Sequence, residues 1–262
     1  MSSIFVVESK MGYKTELKSN TEWKQWGQDD PLWSVVSWAD KQKDGNSPWT
    51  EEEFYAVGES DFQDFIRQWQ HYGVNQDSCL EIGCGAGRLT KQLASTFQQV
   101  YAVDVSEDMI NRARKAVGAN VQFSVIDGLH LPQVDGSVKA VFSALVLQHL
   151  DNIETGFSYF REFFRVLDTG GTLMVQVPVY LFPYHSKRMQ SLMEVLHTSI
   201  RQLGSIRADM KRRAGVKLMR VTPYPVELLR DFLTGIGFKS IEFRLFSLKS
   251  NGDFYSFVFA TK

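Results

Sequence analysis

A chain of 262 residues with a formal net charge of −1 can bury one sizeable core, and it has no general attraction for nucleic acid or an anionic membrane. No stretch approaches the roughly 20 apolar residues that cross a bilayer, and the run from Met1 to Glu8 lacks the basic region and apolar length of a secretory signal. Cys79 and Cys84 are the two cysteines, too few for a structural zinc site; a thiol pair in a reducing cytoplasm fits them, and no metal is expected.

The first 75 or so residues are dense in tryptophan, with Trp23, Trp26, Trp33, Trp38, Trp49 and Trp69. Pro31 and the polar run Lys41 to Pro48 break this region into short helical pieces. Phe62, Phe65, Ile66 and Trp69 then recur at helical spacing and lead into an apolar run that ends in acid, Cys79-Leu80-Glu81-Ile82. Gly83, Gly85 and Gly87 follow at alternate positions, and Leu89, Leu93 and Phe97 begin an amphipathic helix. The pattern is a buried strand, a tight glycine loop and a helix, in which glycine permits both the turn and close approach of a ligand. An ordinary strand-to-helix turn would read similarly at this point.

The next apolar run, Gln99 to Val105, carries one carboxylate near its end, Asp104, about twenty residues past the loop, where an acid meets ribose hydroxyls in a nucleoside site. The alternative is a helix-capping acid, but Ser106 stands at the N-cap with Glu107 and Asp108 behind it. Val121 to Ile126 predicts a third strand, closed by Asp127-Gly128. A fourth strand leads through Phe142 and Ser143 to Leu145, Val146 and His149. Asp151 to Glu154 resembles a capping box, and Ile153, Phe157, Phe160, Phe164 and Leu167 form a packing stripe. Gly170-Gly171 ends that helix, and Thr172 to Val177 is a buried strand stopped by Pro178. After a long connection, Pro225 to Ile236 reads as a helix, and Ser240 to Leu248 with Asp253 to Thr261 as a hairpin turning at Asn251-Gly252.

The spacing Gly83-x-Gly85-x-Gly87 differs from a dinucleotide loop. It resembles the first motif of class I S-adenosylmethionine-dependent methyltransferases, and residues 76 to 180 follow that family's order. The resemblance implies an α/β fold: a Rossmann-like, seven-stranded, mostly parallel sheet with a terminal antiparallel hairpin. It also implies helical lid elements at residues 1–75 and at about 179–222, the second inserted in a catalytic domain of residues 76–262. The cofactor would be S-adenosylmethionine. Glu81, Gly83, Gly85 and Gly87 would form its loop, and Arg88 would pair with the methionine carboxylate. Asp104 would hold the ribose, Val105 and Met109 would flank the adenine, and Asp127 with Gly128 would meet the adenine amino group. Leu145 and Val146 would close over the methionine end.

The expected activity is methyl transfer to an oxygen, nitrogen or carbon of a small, partly apolar acceptor. His149 is the candidate general base because it follows the fourth strand on the ligand side of the sheet, although a packing or capping role suits it equally. Tyr180, Tyr184 and His185 are weaker candidates on the lid. Core packing accounts for most of the tryptophans, and a solvated helix face accounts for Lys211-Arg212-Arg213. Enzymes that methylate a base amino group would carry Asp/Asn-Pro-Pro-aromatic where Ser143-Ala144-Leu145-Val146 stands, so no nucleic-acid partner is expected. A protein acceptor and a non-catalytic regulatory subunit stay open as alternatives.

Overall fold

The computed structural model describes residues 16–181 and 219–262. The tryptophan-rich region forms three helices, α1 (Lys18–Asp29), α2 (Pro31–Val35) and α3 (Glu51–Tyr72). Pro31 opens α2, where its missing N–H costs nothing. Thr50 caps α3 reciprocally: its hydroxyl accepts from the Glu53 amide at 3.2 Å, and the Glu53 carboxylate accepts from the Thr50 amide at 3.3 Å. Phe62, Phe65, Ile66 and Trp69 are buried together, as their spacing requires.

The strands are β1 (Ser78–Ile82), β2 (Gln99–Asp104), β3 (Val121–Val125), β4 (Val138–Ser143), β5 (Leu167–Gln176), β6 (Val179–Tyr180), β7 (Tyr224–Pro225), β8 (Lys239–Ser247) and β9 (Phe254–Thr261). Helices α4 (Thr90–Thr96), α5 (Glu107–Ala116), α6 (Ile153–Val166) and α7 (Val226–Ile236) connect them. Seven strands make one sheet in the order β3-β2-β1-β4-β5-β9-β8, and β9 runs antiparallel to both of its neighbours. This is the α/β architecture expected, terminal hairpin included. The strand order reverses between β1 and β4, which opens a crevice at the carboxyl ends of the strands.

Both faces of the sheet are apolar, and consecutive residues sort to opposite sides. Cys79, Val100, Phe142 and Met174 pack with Phe65 and Trp69 of α3, while Leu80, Val103, Val141 and Leu173 pack with Phe160 and Phe163 of α6 and Leu229 of α7. The Trp69 indole, almost fully buried, donates to the Thr172 hydroxyl at 3.1 Å, so its one polar atom is satisfied inside the core.

Three local expectations are corrected. The buried face of α6 centres on Gly156, Tyr159, Phe160, Phe163 and Val166. Phe157 and Phe164 instead sit at its flank, where they meet Phe232 and Phe238 around α7. Strand β5 begins at Leu167, before the glycines, because the chain bulges between the Val138–Leu167 and Ala140–Thr172 pairs with Gly170 at φ +78°. Finally, Asn152 alone caps α6, accepting from the Thr155 amide at 2.8 Å.

Asp151 is left for another task. Its carboxylate accepts from the Lys18 amide at 2.9 Å, from the Ser19 amide at 3.1 Å and from the Arg220 guanidinium at 2.8 Å. One side chain therefore binds the first turn of α1 and the chain returning at residue 220 to the ligand edge of the sheet. Among the described residues no helix is long and apolar enough to cross a membrane. Substitution Asp151→Ala should speed amide exchange across α1 by one to two orders of magnitude, the scale of losing about 1–3 kcal/mol of charge-assisted bonds, while α3 and the central strands exchange as before.

Candidate active site

The glycine loop departs from the carboxyl end of β1. Gly83, Gly85 and Gly87 all have positive φ, at +73°, +50° and +84°. A Cβ on Gly83 would lie 2.3 Å from a Val146 methyl, so only glycine lets the β4 loop close against this turn. The Gly83 and Cys84 amides donate to the Val103 carbonyl at 2.8 and 3.1 Å, which ties the loop to β2. Asp104 completes the tie. Its carboxylate accepts from the Gly85 amide at 2.9 Å and from the Ser106 amide at 2.9 Å, while Ser106 caps α5 through the Met109 amide. Burial holds the Asp104 carboxyl above the usual aspartate range, and the amides of Ser106, Gly85 and Val105 pull it back down.

A cavity of about 380 Å³ opens between these elements, and Glu81, Gly83, Gly85, Arg88 and Asp104 stand on its wall. The volume falls within the range of ordinary small-molecule sites. Apolar cover comes from Val105 and Met109 on one side and from Ile126, Leu145 and Val146 on the other. Glu81 is buried and its Oε2 has no hydrogen-bond partner among the described residues. Burial pushes its carboxyl up to about 7, reinforced by the Asp104 charge and opposed by the Thr90 hydroxyl and Arg88. A buried carboxylate oxygen without a donor is costly, and a cationic ligand group would relieve it.

Arg88 is committed elsewhere. Its guanidinium pairs with Asp61 of α3, both buried, and Asp61 also accepts from the Ser250 hydroxyl at the tip of the β8–β9 hairpin. Arg88 therefore joins three elements at one end of the cavity, and its Nε alone is buried without a partner.

At the other end, His149 lies in a single 3₁₀ turn, Leu147–His149, with its ring 5.2 Å from that of Trp23. A backbone carbonyl can only accept, so the 2.5 Å contact between His149 Nδ1 and the Arg220 carbonyl places the proton on Nδ1. The lone pair on Nε2 then accepts from Gln148 Nε2 at 2.9 Å. Gln148 Oε1 accepts from Gln176 Nε2 at 3.4 Å, and Gln176 Oε1 accepts from the Leu145 amide at 3.2 Å. A backbone N–H at one end and a backbone C=O at the other thus fix the polarity of the whole row. They also hold Leu145 at φ +62°, a conformation that costs a leucine energy. Burial lowers the His149 ring to about 4, against the pull of the Arg220 carbonyl, so it is neutral at physiological pH.

Asp127 and Gly128 stand away from the cavity wall, which is formed at that point by Ile126. The Asp127 carboxylate accepts from the Leu129 and His130 amides, each at 2.9 Å, and meets the His130 ring at 2.9 Å. The strand-end acid is used to fold its own turn. Its carbonyl accepts from Asn20 Nδ2 at 2.8 Å, and Gly128 leaves room for that same asparagine. The N-terminal helices form another part of the wall, with Asn20 and Trp23 of α1 and Val35, Val36 and Trp38 around α2, and the β8–β9 hairpin adds Ser250, Asn251 and Tyr255. From the connection after β5, Met219 and Val221 reach it; Tyr184, His185 and the basic cluster lie outside the described residues, and Tyr180 is not on the wall.

Gln148, Gln176, Asp61 and Tyr159 join the site without a sequence motif. Gln176 had a usable signal, as the one strongly polar side chain in the buried apolar run from Leu173 to Val177. Asp61 and Tyr159 had none, since each is one polar residue in an amphipathic helix.

The family described as "Methyltransferase domain" matches residues 80–175, the span that builds the glycine loop, Asp104 and the β4 loop. Residues 80–175 are thus similar to a methyltransferase domain. The chain is 26% identical over 157 residues to ajmaline N-methyltransferase of Rauvolfia serpentina, covering 58% of this chain and 52% of that protein. It is 34% identical over 98 residues to the biotin biosynthesis bifunctional protein BioHC of Cellvibrio japonicus, covering 37% of this chain and 19% of that protein. The chain thus spans about half or less of the length of these curated relatives. Among solved structures, magnesium protoporphyrin IX methyltransferase of Synechocystis PCC 6803, with bound S-adenosylhomocysteine, aligns with a TM-score of 0.58 at 18% identity, over 92% of this chain and 99% of that one. The [4+2]-cyclase SpnF aligns with a TM-score of 0.57 at 16% identity, over 97% of this chain and 99% of that one.

The raised carboxyl of Glu81 has a consequence for stability. Its folded-state value of about 7 exceeds the ordinary 4.5, so the stability it contributes is full at low pH and is lost as pH rises through 7. Urea unfolding of the parent and of Glu81→Gln at pH 5 and pH 8 should show the variant gaining relative to the parent at the higher pH.

Proposed function

We propose that this chain transfers the methyl group of S-adenosylmethionine to an oxygen, nitrogen or carbon atom of a small, partly apolar acceptor. What supports the reading is that one cavity is bounded at once by the glycine loop, the ribose-side acid Asp104, the underpaired Glu81 and the neutral His149. The donor set fits the cofactor. Asp104 keeps acceptor capacity beyond its two amide bonds for ribose hydroxyls. Glu81 offers a buried negative charge to the methionine ammonium, and Val105, Met109, Ile126 and Val146 offer an apolar slot for a flat ring. When bound, the cofactor supplies an electrophilic methyl on a positively charged sulfur, which leaves as a neutral thioether.

The work left to the chain is alignment and exclusion of water. Val146 closes on Gly83, while α1 and the residues around α2 roof the acceptor side with Trp23, Val35, Val36 and Trp38. His149 acts there through the row it anchors: with Nδ1–H on the Arg220 carbonyl and Nε2 accepting from Gln148, it fixes the wall against which the nucleophile is placed. A ring that stays neutral down to about pH 4 has little driving force to remove a proton, so its contribution is geometric more than basic. The apolar and aromatic wall favours an acceptor with a flat or hydrophobic body, and ajmaline N-methyltransferase among the relatives is consistent with that class.

Calorimetry should show binding of S-adenosylmethionine and S-adenosylhomocysteine and none of NAD; binding of NAD alone would end this reading. Asp104→Ala should weaken S-adenosylhomocysteine binding by about 1.5–3 kcal/mol, the cost of charge-assisted bonds. It should also loosen the Gly85 amide, visible as faster exchange in the loop of the unliganded protein. Parent-like affinity in that variant would remove Asp104 from the ribose site.

A further inference from the structure

Tyr159 is the one phenol on the buried face of α6, and it is 3% exposed. Its ring packs 5.9 Å from Phe163, within the apolar cluster that contains Ile82 and Val103. Its remaining exposure opens on the cavity, which it lines together with Ile126, Asp104 and Val146. The hydroxyl makes no hydrogen bond to any described residue. Buried tyrosine hydroxyls ordinarily find a partner, because an unpaired one forfeits its bond to water. The nearby Tyr224 shows the usual solution, donating to the Leu147 carbonyl at 3.2 Å.

Its neighbours locate this phenol. It shares the cavity wall with Asp104 at the end of β2 and with Ile126 just after β3, and it packs in one apolar cluster with Val103 and Ile126; Asp104 and Asp127 both bear on it electrostatically. That is the stretch of wall beyond the ribose-side acid where a purine base would lie. The Asp127 carboxylate is turned into its own loop by Leu129 and His130. The wall there is otherwise the apolar Ile126, Val146 and Leu150.

We infer that Tyr159 donates its hydroxyl proton to a ring nitrogen of the cofactor's adenine and so sets which base the site accepts. This rests on the methyltransferase reading above and adds to it the group that reads the base. A phenol kept protonated by burial and by two nearby carboxylates is always a donor. N1, N3 and N7 of adenine are acceptors only, and an otherwise apolar slot leaves each of them unpaired. A donor at one position rejects a base lacking that nitrogen, since the buried hydroxyl would again be orphaned.

The test is calorimetric, with S-adenosylhomocysteine and its 1-deaza, 3-deaza and 7-deaza adenine analogues, on the parent and on Tyr159→Phe. The variant should bind S-adenosylhomocysteine about tenfold more weakly, the order expected for one buried hydrogen bond. One deaza analogue should lose a similar factor against the parent and lose nothing further against the variant. That non-additivity is a signature which loosened packing would not produce. The deaza series on the parent alone also decides the matter, whatever the stability of the variant. Equal affinity of the parent for all four ligands, parent-like binding by Tyr159→Phe, or the same loss in the variant for every analogue would each overturn the inference while leaving the cofactor assignment standing. Failure of the parent to bind S-adenosylhomocysteine at all would overturn both.

Discussion

The carboxylate of Asp104 holds together the two turns on which the site is built. One oxygen accepts from the Gly85 amide and the other from the Ser106 amide, so the glycine loop after β1 and the start of α5 after β2 share one anion. Neighbouring parallel strands are not joined by a hairpin, so pairing alone does not fix the turns at their carboxyl ends. A side chain that crosses between adjacent strand ends supplies that missing constraint. Only after this bond is made do the positive φ values of the loop become a fixed shape, and Val146 can then settle on Gly83. The same carboxylate lines the cavity, so the group that organises the loop is also a hydrogen-bond acceptor on its wall.

A second constraint operates at the opposite end of the cavity. Leu145, Gln176, Gln148, His149 and Arg220 form a row whose direction is dictated by an amide at one end and a carbonyl at the other. Reversing either glutamine amide would set two donors or two acceptors against each other, so the row has one consistent polarity. Its far end is the backbone at residue 220, which the Arg220–Asp151 pair and the Thr222 amide bond to the Gln148 carbonyl, at 2.6 Å, draw onto the sheet edge. Asp151 in turn holds α1. The roof and floor of the acceptor region are therefore connected by hydrogen bonds.

Much of this was legible in the residues. Strand periodicity, the three alternate glycines and an acid twenty residues later specify a βαβ crevice, because each has one dominant physical cause: two-sided burial, positive φ and a strand-end turn. The features that stayed hidden depend on contacts a chain pattern does not encode. Asp127 ends its strand just as Asp104 does, but its carboxylate meets His130 three residues on and folds a local turn. Arg88 could not be seen to need Asp61, because the pair spans α3 and the glycine loop. The α6 stripe was displaced by about one residue because α7 covers a second apolar flank, which widens the hydrophobic arc beyond the sheet-facing one.

The likeness in fold to both a methyltransferase and a [4+2]-cyclase separates what the scaffold contributes from what its side chains decide. A sheet with this order brings a crevice and a glycine loop to the same edge whatever the chemistry done there. Reaction type then turns on which charges the crevice leaves unsatisfied. Here the unsatisfied acid beside the glycine loop, among the described residues, is Glu81, held by burial at about 7 and with Oε2 lacking a donor. An underpaired anion in that position is poorly suited to a pyrophosphate and well suited to an ammonium next to a sulfonium. The acceptor end carries no comparable charge: its histidine is neutral, and Trp23, Val36 and Trp38 surround it with apolar surface. On the proposed reading, an acid at one end and neutral, aromatic surface at the other would suit a cationic methyl donor and an uncharged, hydrophobic acceptor.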